Sequence, residues 1–215
     1  LFRENDRENV VFFASGVSNS LETDKSAFLR EENLIRKTIK ENPNKIFIYF
    51  STCSIYDSSK NGSSYVNHKL KMEQIVEELA NQFLILRVSN AVGKGGNPNL
   101  LMNYLVNAFH QEKEITVHTL ATRNLIDADD VKNITLKFIN ENSFNKIINV
   151  AYLENFSTIQ ILEILEKHFN KTAKTSLVKS GQSYLISIPE AEAYFAENKL
   201  TEKKEYLLRI IKRYY

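Results

Sequence analysis

A single cysteine, Cys53, is the only thiol in this chain of 215 residues. The chain therefore cannot form an internal disulfide, and it has no second cysteine with which to build a zinc or iron–sulfur site. A lone free thiol is typical of a reducing compartment, so a cytoplasmic location is expected. The four histidines show no spacing typical of metal ligands, and no metal site is expected.

Two further absences narrow the classes of function. No apolar run approaches the roughly 20 residues that span a bilayer, and no charged segment followed by an apolar one resembles a secretory leader. Lys and Arg total 28 against 26 Asp and Glu, which gives a formal net charge of +2. Such a balance provides no field for nucleic acid or for an anionic membrane, so neither partner is expected.

Short apolar segments alternate with amphipathic ones along the chain. Strands are predicted at 10–14, 46–50, 83–88, 115–118 and 146–151, and helices at 28–39, 64–81, 100–111, 129–140, 158–169, 189–197 and 201–214. Continuous apolar strands indicate burial on both faces. Their alternation with helices predicts an α/β fold with a parallel sheet. Asp130, at the start of a helix, is expected to cap it.

Tyr65 and Lys69 are four positions apart on the helix predicted at 64–81, which places their side chains on one face. A free tyrosine titrates at about pH 10. A neighbouring ammonium stabilises the phenolate and moves that pKa toward the range of an acid–base catalyst. The same lysine can donate hydrogen bonds to ribose hydroxyls. The spacing alone favours the simpler interpretation, a solvated pair on a helix surface.

Thr52 favours the catalytic interpretation. It follows the strand at 46–50, in the run Ser51-Thr52-Cys53-Ser54-Ile55-Tyr56, just before the helix that carries Tyr65. Residues at the carboxyl ends of parallel strands face the ligand crevice. Thr52 is therefore expected to hydrogen-bond the same substrate oxygen that Tyr65 protonates or deprotonates.

Six segments carry a further pattern in their order along the chain. They are Val10–Gly16, Phe47–Tyr56, Tyr65–Lys69, Leu86–Gly93, Arg123–Val131 and Ile148–Val150. In turn they resemble a strand with a small-residue turn, a strand with a catalytic Ser or Thr, a catalytic Tyr-Lys pair, an Arg-x-x-Asn-x-x-Gly segment, an Arg-Asp-Phe-Ile-x-Val-x-Asp-Val segment and a Tyr-Asn-Val strand. This set is similar to that of the extended short-chain dehydrogenases/reductases of the NAD-dependent epimerase/dehydratase family.

The resemblance implies an active site and a cofactor. Tyr65 is the acid–base catalyst at a sugar hydroxyl or ketone, Lys69 lowers its pKa and holds the nicotinamide ribose, and Thr52 orients the reacting oxygen. NAD or NADP is the implied cofactor. Its implied contacts are Ala14, Ser15, Gly16, Ser51, Tyr65, Lys69 and Val88.

The resemblance also implies contacts with a nucleotide-sugar substrate, from Thr52, Cys53, Asn90 and Arg123. Arg123 is expected to grip the diphosphate, because a guanidinium suits two-point phosphate binding. An ion pair with an aspartate between two lobes is the lesser alternative for Arg123, and a loop turn is an equal alternative for Asn90. Cys53 fits either a weak acid beside the site or a small buried residue.

The implied architecture is a Rossmann-like parallel sheet flanked by helices, with a smaller C-terminal substrate-binding lobe. Residues 1–93 and 124–152 are expected to form the Rossmann-like domain, incomplete at its N-terminus. Residues 94–123 and 153–215 are expected to form the lobe.

The glycine-rich loop that holds the pyrophosphate in this family is not found in the chain. The segment 1–9 has no glycine, and Gly93-Lys94-Gly95-Gly96 follows a late strand, so we interpret it as an ordinary loop. The chain begins with Leu1 and not with methionine. An upstream strand with a glycine turn is therefore expected in the complete protein.

Two other departures bear on the reaction. Only eight residues separate Tyr56 from Tyr65, fewer than in the family's usual loop over the substrate, so a more open site or a covering partner chain is expected. Cys53 and Ser54 stand where the family's dehydratases carry an Asp-Glu pair. A thiol and a hydroxyl do not readily replace two carboxyls in water elimination, so dehydration is the least expected reaction.

These observations predict an NAD(P)-dependent epimerase or reductase of a nucleotide-activated sugar. Two alternatives stay open. One is a degenerate family member that binds a nucleotide or a partner protein without turnover, and the other is a reductase of a non-sugar carbonyl compound. Family members are often dimers through the Tyr-Lys helix and often serve surface-polysaccharide synthesis, so a homodimer in that setting is a further expectation.

Overall fold

The structure, a computed structural model, describes residues 9–95, 98 and 100–215. Four strands form its main sheet: β1 (Val10–Phe13), β2 (Ile46–Thr52), β3 (Gln82–Val88) and β8 (Lys146–Val150). They lie in the order β1-β2-β3-β8, and every neighbouring pair is parallel. The α/β fold with a parallel sheet is therefore confirmed. The segment 1–8 and Gly96 lie outside the described residues. Both belong to the regions in which the glycine-rich loop was sought.

Two helices cover one face of this sheet. They are α1 (Lys25–Glu41), capped by the Asp24 side chain, and α2 (Ser64–Leu79), capped by the Ser63 side chain. Their apolar sides pack on the strands in one buried cluster, whose members are Phe13, Ile35, Ile39, Phe47, Tyr49, Met72, Ile75, Val76, Phe83 and Ile85. Burial of these apolar groups fixes both helices against the sheet.

A second layer of helices and short strands packs on the opposite face. Its helices are α3 (Leu101–His110), α4 (Ala128–Asn140), α5 (Thr158–Phe169), α6 (Pro189–Glu197) and α7 (Lys203–Tyr214). Its strands form three pairs, β4 (Asn90–Val92) with β7 (Leu125–Asp127), β5 (Ile115–His118) with β10 (Thr175–Val178), and β6 (Thr122–Arg123) with β9 (Phe156–Ser157). A second buried cluster joins these elements to Ile48, Leu84 and Ile148 of the main sheet.

None of the helices in the described part of the chain has both the length and the apolar character that a bilayer span requires.

The expectation that β1 is buried on both faces is wrong. Phe13 is 5% exposed, but Phe12 is 46% exposed. In the sheet that the described residues form, β1 lies at an edge with β2 as its neighbour. The side chain of Phe12 therefore lines a cavity rather than a packed layer.

The capping role expected for Asp130 is also wrong. The α4 helix is capped by Asp127, whose side chain accepts from the Asp129 amide at 2.9 Å. Asp130 instead accepts hydrogen bonds from the hydroxyls of Tyr194 and Tyr206, each at 2.8 Å, and pairs with Arg209. Because α4 begins at residue 128, Asp130 lies inside its first turn and faces α6 and α7 rather than the free amides.

Replacing Asp130 with alanine is expected to lower the free energy of unfolding by about 3 kcal/mol, because two tyrosine hydroxyls and Arg209 lose a buried acceptor. Urea unfolding followed by circular dichroism measures the loss. The matched control is Asp129→Ala, which removes pairs of Asp129 with Lys132 and Arg213 nearer the surface and should cost about 1 kcal/mol or less. Equal losses in the two variants would contradict the role given to Asp130.

Candidate active site

A cavity of about 690 Å³ opens at the carboxyl ends of β1, β2 and β3. Its wall is built from the residues that follow each strand, from α2, and from α4 with Tyr184 on the far side. Parallel α/β sheets bind ligands at this edge because the strands end there together and their loops diverge.

The cavity brings together nearly all of the predicted site residues. Those in its lining are Ala14, Gly16, Ser51, Thr52, Cys53, Tyr65, Lys69, Val88 and Asn90. Ser15 and Arg123 are not among the lining residues. The strand-end rule predicted that Thr52 and Tyr65 share this site, and the family resemblance supplied the residues from the other segments.

Tyr65 lies in the first turn of α2 and is 7% exposed. Burial raises the pKa of its phenol above the ordinary value, a hydrogen bond with Thr52 acts in the opposite direction, and the charge of Glu31 raises it further. The lowering expected from Lys69 is not found here. The Lys69 ammonium is paired with the Glu31 carboxylate, and the charge of that carboxylate acts on the phenol in the opposite sense.

Glu31 is a fully buried carboxylate at the base of this site. Its Oε1 accepts from the Tyr49 hydroxyl at 2.8 Å and from Lys69 Nζ at 3.0 Å. Its Oε2 accepts from the Val17 amide at 2.7 Å and lies 3.0 Å from His68 Nε2. Four donors from the loop after β1, from β2 and from α2 thus converge on one side chain of α1.

These contacts decide the charge of Glu31. Burial raises the pKa of the carboxyl, but the His68 hydrogen bond, the charge of Lys69 and the Val17 amide outweigh it and hold the pKa at about 2. Burial lowers the pKa of the Lys69 ammonium, and the anion of Glu31 opposes that effect. Each charge thus offsets part of the cost of burying the other.

The Glu31–Lys69 ion pair explains why position 16 is a glycine. A Cβ atom at position 16 would lie 2.6 Å from Glu31 Oε1 and 2.8 Å from Lys69 Nζ. No side chain fits there unless the pair moves. The turn after β1 therefore passes directly over the charges, and its backbone forms part of the cavity wall.

A second buried network holds the end of β2. Ser51 Oγ donates to Glu73 Oε1 at 2.5 Å, and Arg87 donates to both oxygens of Glu73 through Nε and Nη2. Cys53 is 1% exposed, its Sγ lies 2.9 Å from the Arg87 carbonyl oxygen, and burial raises its pKa to about 12. Of the two roles open for Cys53, these facts support the small buried residue.

Asn90 and Arg123 are placed differently from the alternatives considered for them. Asn90 belongs to β4 rather than to a loop turn, and its Nδ2 donates to the Asn124 carbonyl at 2.8 Å. Arg123 Nη1 donates to the carbonyl oxygens of Thr122 at 2.8 Å and Gln182 at 3.0 Å. The ion pair with an aspartate is not among the contacts that the described residues make.

Tyr184 is a cavity residue that the sequence reasoning missed, because it lies in a segment without strand or helix periodicity. Burial raises the pKa of its phenol to about 12, Asp57 adds to this, and Arg123 opposes it. Arg123 therefore lies near enough to this cavity residue for its charge to act on the phenol.

Comparison with known proteins agrees with this arrangement. The family model described as the NAD dependent epimerase/dehydratase family matches residues 2–151. No curated protein sequence matches the chain.

Solved structures share the fold. A UDP-glucuronic acid 4-epimerase from Bacillus cereus, in complex with UDP-glucuronic acid and NAD, aligns with a TM-score of 0.72 at 18% identity, over 97% of this chain and 79% of that one. A dTDP-glucose 4,6-dehydratase from Bacillus anthracis, in complex with NAD, aligns with a TM-score of 0.64 at 14% identity, over 88% and 70%. The protein RMD from Pseudomonas aeruginosa, complexed with NADPH, aligns with a TM-score of 0.70 at 14% identity, over 94% and 81%.

The Glu31 carboxylate is expected to make stability depend on acid pH. Its pKa is about 2 in the folded chain against an ordinary value of 4.5. Its contribution is therefore complete above about pH 4.5 and is lost as the pH falls toward 2. The difference in unfolding free energy between wild type and Glu31→Gln should shrink by about 3 kcal/mol across that range. Urea unfolding at steps of pH measures it.

The matched control is the next residue. Glu32 points away from the site and pairs with Arg36 and Lys71. Because both partners are half-exposed, Glu32→Gln should show a much weaker dependence on acid pH. The same pH dependence in both variants would contradict the account of Glu31.

Proposed function

Because the chain belongs to the NAD-dependent epimerase/dehydratase family, we propose that it is an NAD(P)-dependent epimerase or reductase of a nucleotide-activated sugar. The observation that carries the proposal is the meeting of Thr52, Tyr65 and Lys69 in one cavity at the carboxyl end of a parallel sheet. The solved structures that share this fold include proteins in complex with NAD, NADPH and UDP-glucuronic acid.

The residues present fit the nicotinamide end of such a cofactor on two observations. Gly16 lines the cavity without a side chain of its own, so a ligand there can approach its backbone closely. Lys69 Nζ has, as its third contact, the Phe50 carbonyl at a long 3.4 Å, which a ribose hydroxyl can replace at little cost. When bound, the cofactor would supply the redox chemistry of a hydride transfer.

Tyr65 is proposed to move the proton at the sugar oxygen. Its burial and the nearby Glu31 charge keep the phenol protonated near neutral pH, which suits a group that donates a proton to a carbonyl oxygen during reduction. Thr52 Oγ1 accepts from the Ser54 amide at 3.0 Å. That bond leaves the Thr52 hydroxyl hydrogen free to point at the Tyr65 oxygen or at the reacting oxygen of the substrate.

The chemistry of Cys53 argues against water elimination. A dehydratase needs an acid and a base beside the sugar, and a thiol with a pKa of about 12 supplies neither at neutral pH. Ser54 offers a hydroxyl in place of a carboxyl. The proposal is therefore restricted to epimerisation or reduction.

Arg123 is proposed to bind the diphosphate of the substrate, and the cavity residues Asn90 and Cys53 are proposed to contact the sugar. Both hydrogen bonds of Arg123 to described residues use Nη1. The rest of its planar fork is left for a phosphate, which such a fork binds at two points. A carbonyl substrate without a phosphate would offer no anion for the Arg123 guanidinium, so Arg123 favours the nucleotide sugar over such a substrate. The homodimer and the cytoplasmic location stay predictions.

A non-catalytic binding protein is the second candidate, because Glu31 already engages the ammonium that should assist Tyr65. Calorimetric titration of the full-length protein with NAD and with NADP, together with a turnover assay, separates the two candidates. Micromolar binding of either dinucleotide is expected for the enzyme. Binding of neither would favour the second candidate.

Tyr65→Phe is expected to lower turnover of a nucleotide sugar by about 10²- to 10⁴-fold, because it removes the acid–base group and keeps the ring. Dinucleotide affinity should change little. Steady-state assays with purified nucleotide sugars measure the loss, and Tyr104→Phe, at an exposed tyrosine of α3, is the matched control. Full turnover in Tyr65→Phe would overturn the mechanism.

A further inference from the structure

Lys69 is a buried lysine, and burial disfavours the charged form of its side chain. The residue is 3% exposed, and its Nζ contacts Glu31 Oε1, the Tyr49 hydroxyl and the Phe50 carbonyl. Of these three partners only Glu31 carries a charge. An isolated ammonium in such surroundings tends to lose its proton.

We propose that Glu31 is a positioning residue of this site, whose carboxylate holds the Lys69 ammonium charged and fixed against the cavity wall. Glu31 does not line the cavity itself, so it acts through Lys69. The inference rests on the proposed function, since the reaction there is what gives Lys69 its use.

The carboxylate can hold Lys69 because it is itself held. Val17 and His68 engage Oε2, which leaves Oε1 aimed at Lys69 and Tyr49. The His68 ring is in turn stacked on Phe28, with ring centroids 4.5 Å apart. A carboxylate fixed at both oxygens cannot turn away from the ammonium.

The groups around the pair support the same assignment. From β2 the pair faces the neutral Tyr49, and from α2 it faces His68 and Tyr65. Glu73 is the other anion that acts on Lys69, and its effect is smaller than that of Glu31. Glu73 is also bound to Ser51 and Arg87. Glu31 is therefore the principal counter-charge of Lys69.

The test is the titration of Lys69 in the full-length protein. NMR of protein labelled at the lysine Cε and Nζ atoms follows each lysine, and the signal absent from Lys69→Met identifies Lys69. In Glu31→Gln the Lys69 midpoint is expected to fall by about one pH unit or more, because its counter-charge is gone. In Glu32→Gln it should not move. An unchanged midpoint in a folded Glu31→Gln overturns the proposal.

A second measurement decides the matter even if Glu31→Gln does not fold. Lys69→Met leaves the Val17, Tyr49 and His68 contacts of Glu31 in place. Because the coupling between two charges is reciprocal, the Glu31 carboxyl midpoint, followed by carbon NMR, should rise by about one pH unit or more in Lys69→Met. A Glu31 midpoint equal to that of wild type overturns the proposal.

Dinucleotide affinity gives a readout that a purely structural role would not move. With a lowered Lys69 midpoint, Glu31→Gln loses the ammonium at a lower pH than wild type does. Its affinity for NADH should therefore become up to about 10-fold weaker than that of wild type at a pH above its own measured Lys69 midpoint, and nearly equal well below that midpoint. A ratio independent of pH contradicts the proposal. If the midpoints shift as expected but no dinucleotide binds, the proposed function fails and the hold of Glu31 on Lys69 stands.

Discussion

The ion pair between Glu31 and Lys69 joins two helices at the point where the sheet ends. Its anion comes from α1 and its cation from α2, and the turn after β1 must pass over both with a glycine at position 16. Tyr65 stands one helical turn before Lys69 on the same face of α2. The position of the phenol in the cavity thus depends on a charge pair that is hidden beneath it.

The sequence predicts much of this site because its logic is local. A buried strand that ends in Ser51 and Thr52, followed at once by a helix with Tyr65 and Lys69, requires these side chains to share one edge of a parallel sheet. The helix bounds also follow from local signals. The α5 helix, for example, spans the predicted residues 158–169, and Ser157 caps it through a reciprocal bond with Gln160.

What escapes prediction depends on contacts between distant segments. Glu31 meets His68 and Lys69 across 37 and 38 residues. A signal for it exists, since position 31 lies three residues after Phe28 and four before Ile35, on the buried face of α1. The adjacent Glu32 makes the pair of glutamates look like a solvated charge cluster, and only the packed structure separates the inner one from the outer one.

The pairing of β3 with β8 has a consequence for how the chain acquires its shape. Leu84 and Leu86 pair with Lys146 and Ile148, which are about sixty residues downstream in the chain. Until that length has been synthesised and α4 has formed, the β3 edge stays open, with apolar side chains beside unpaired amides. Such long-range parallel pairing slows folding and exposes intermediates to aggregation. A ribosome-bound chain that stops before residue 146 is therefore a natural client for a chaperone that binds apolar strands.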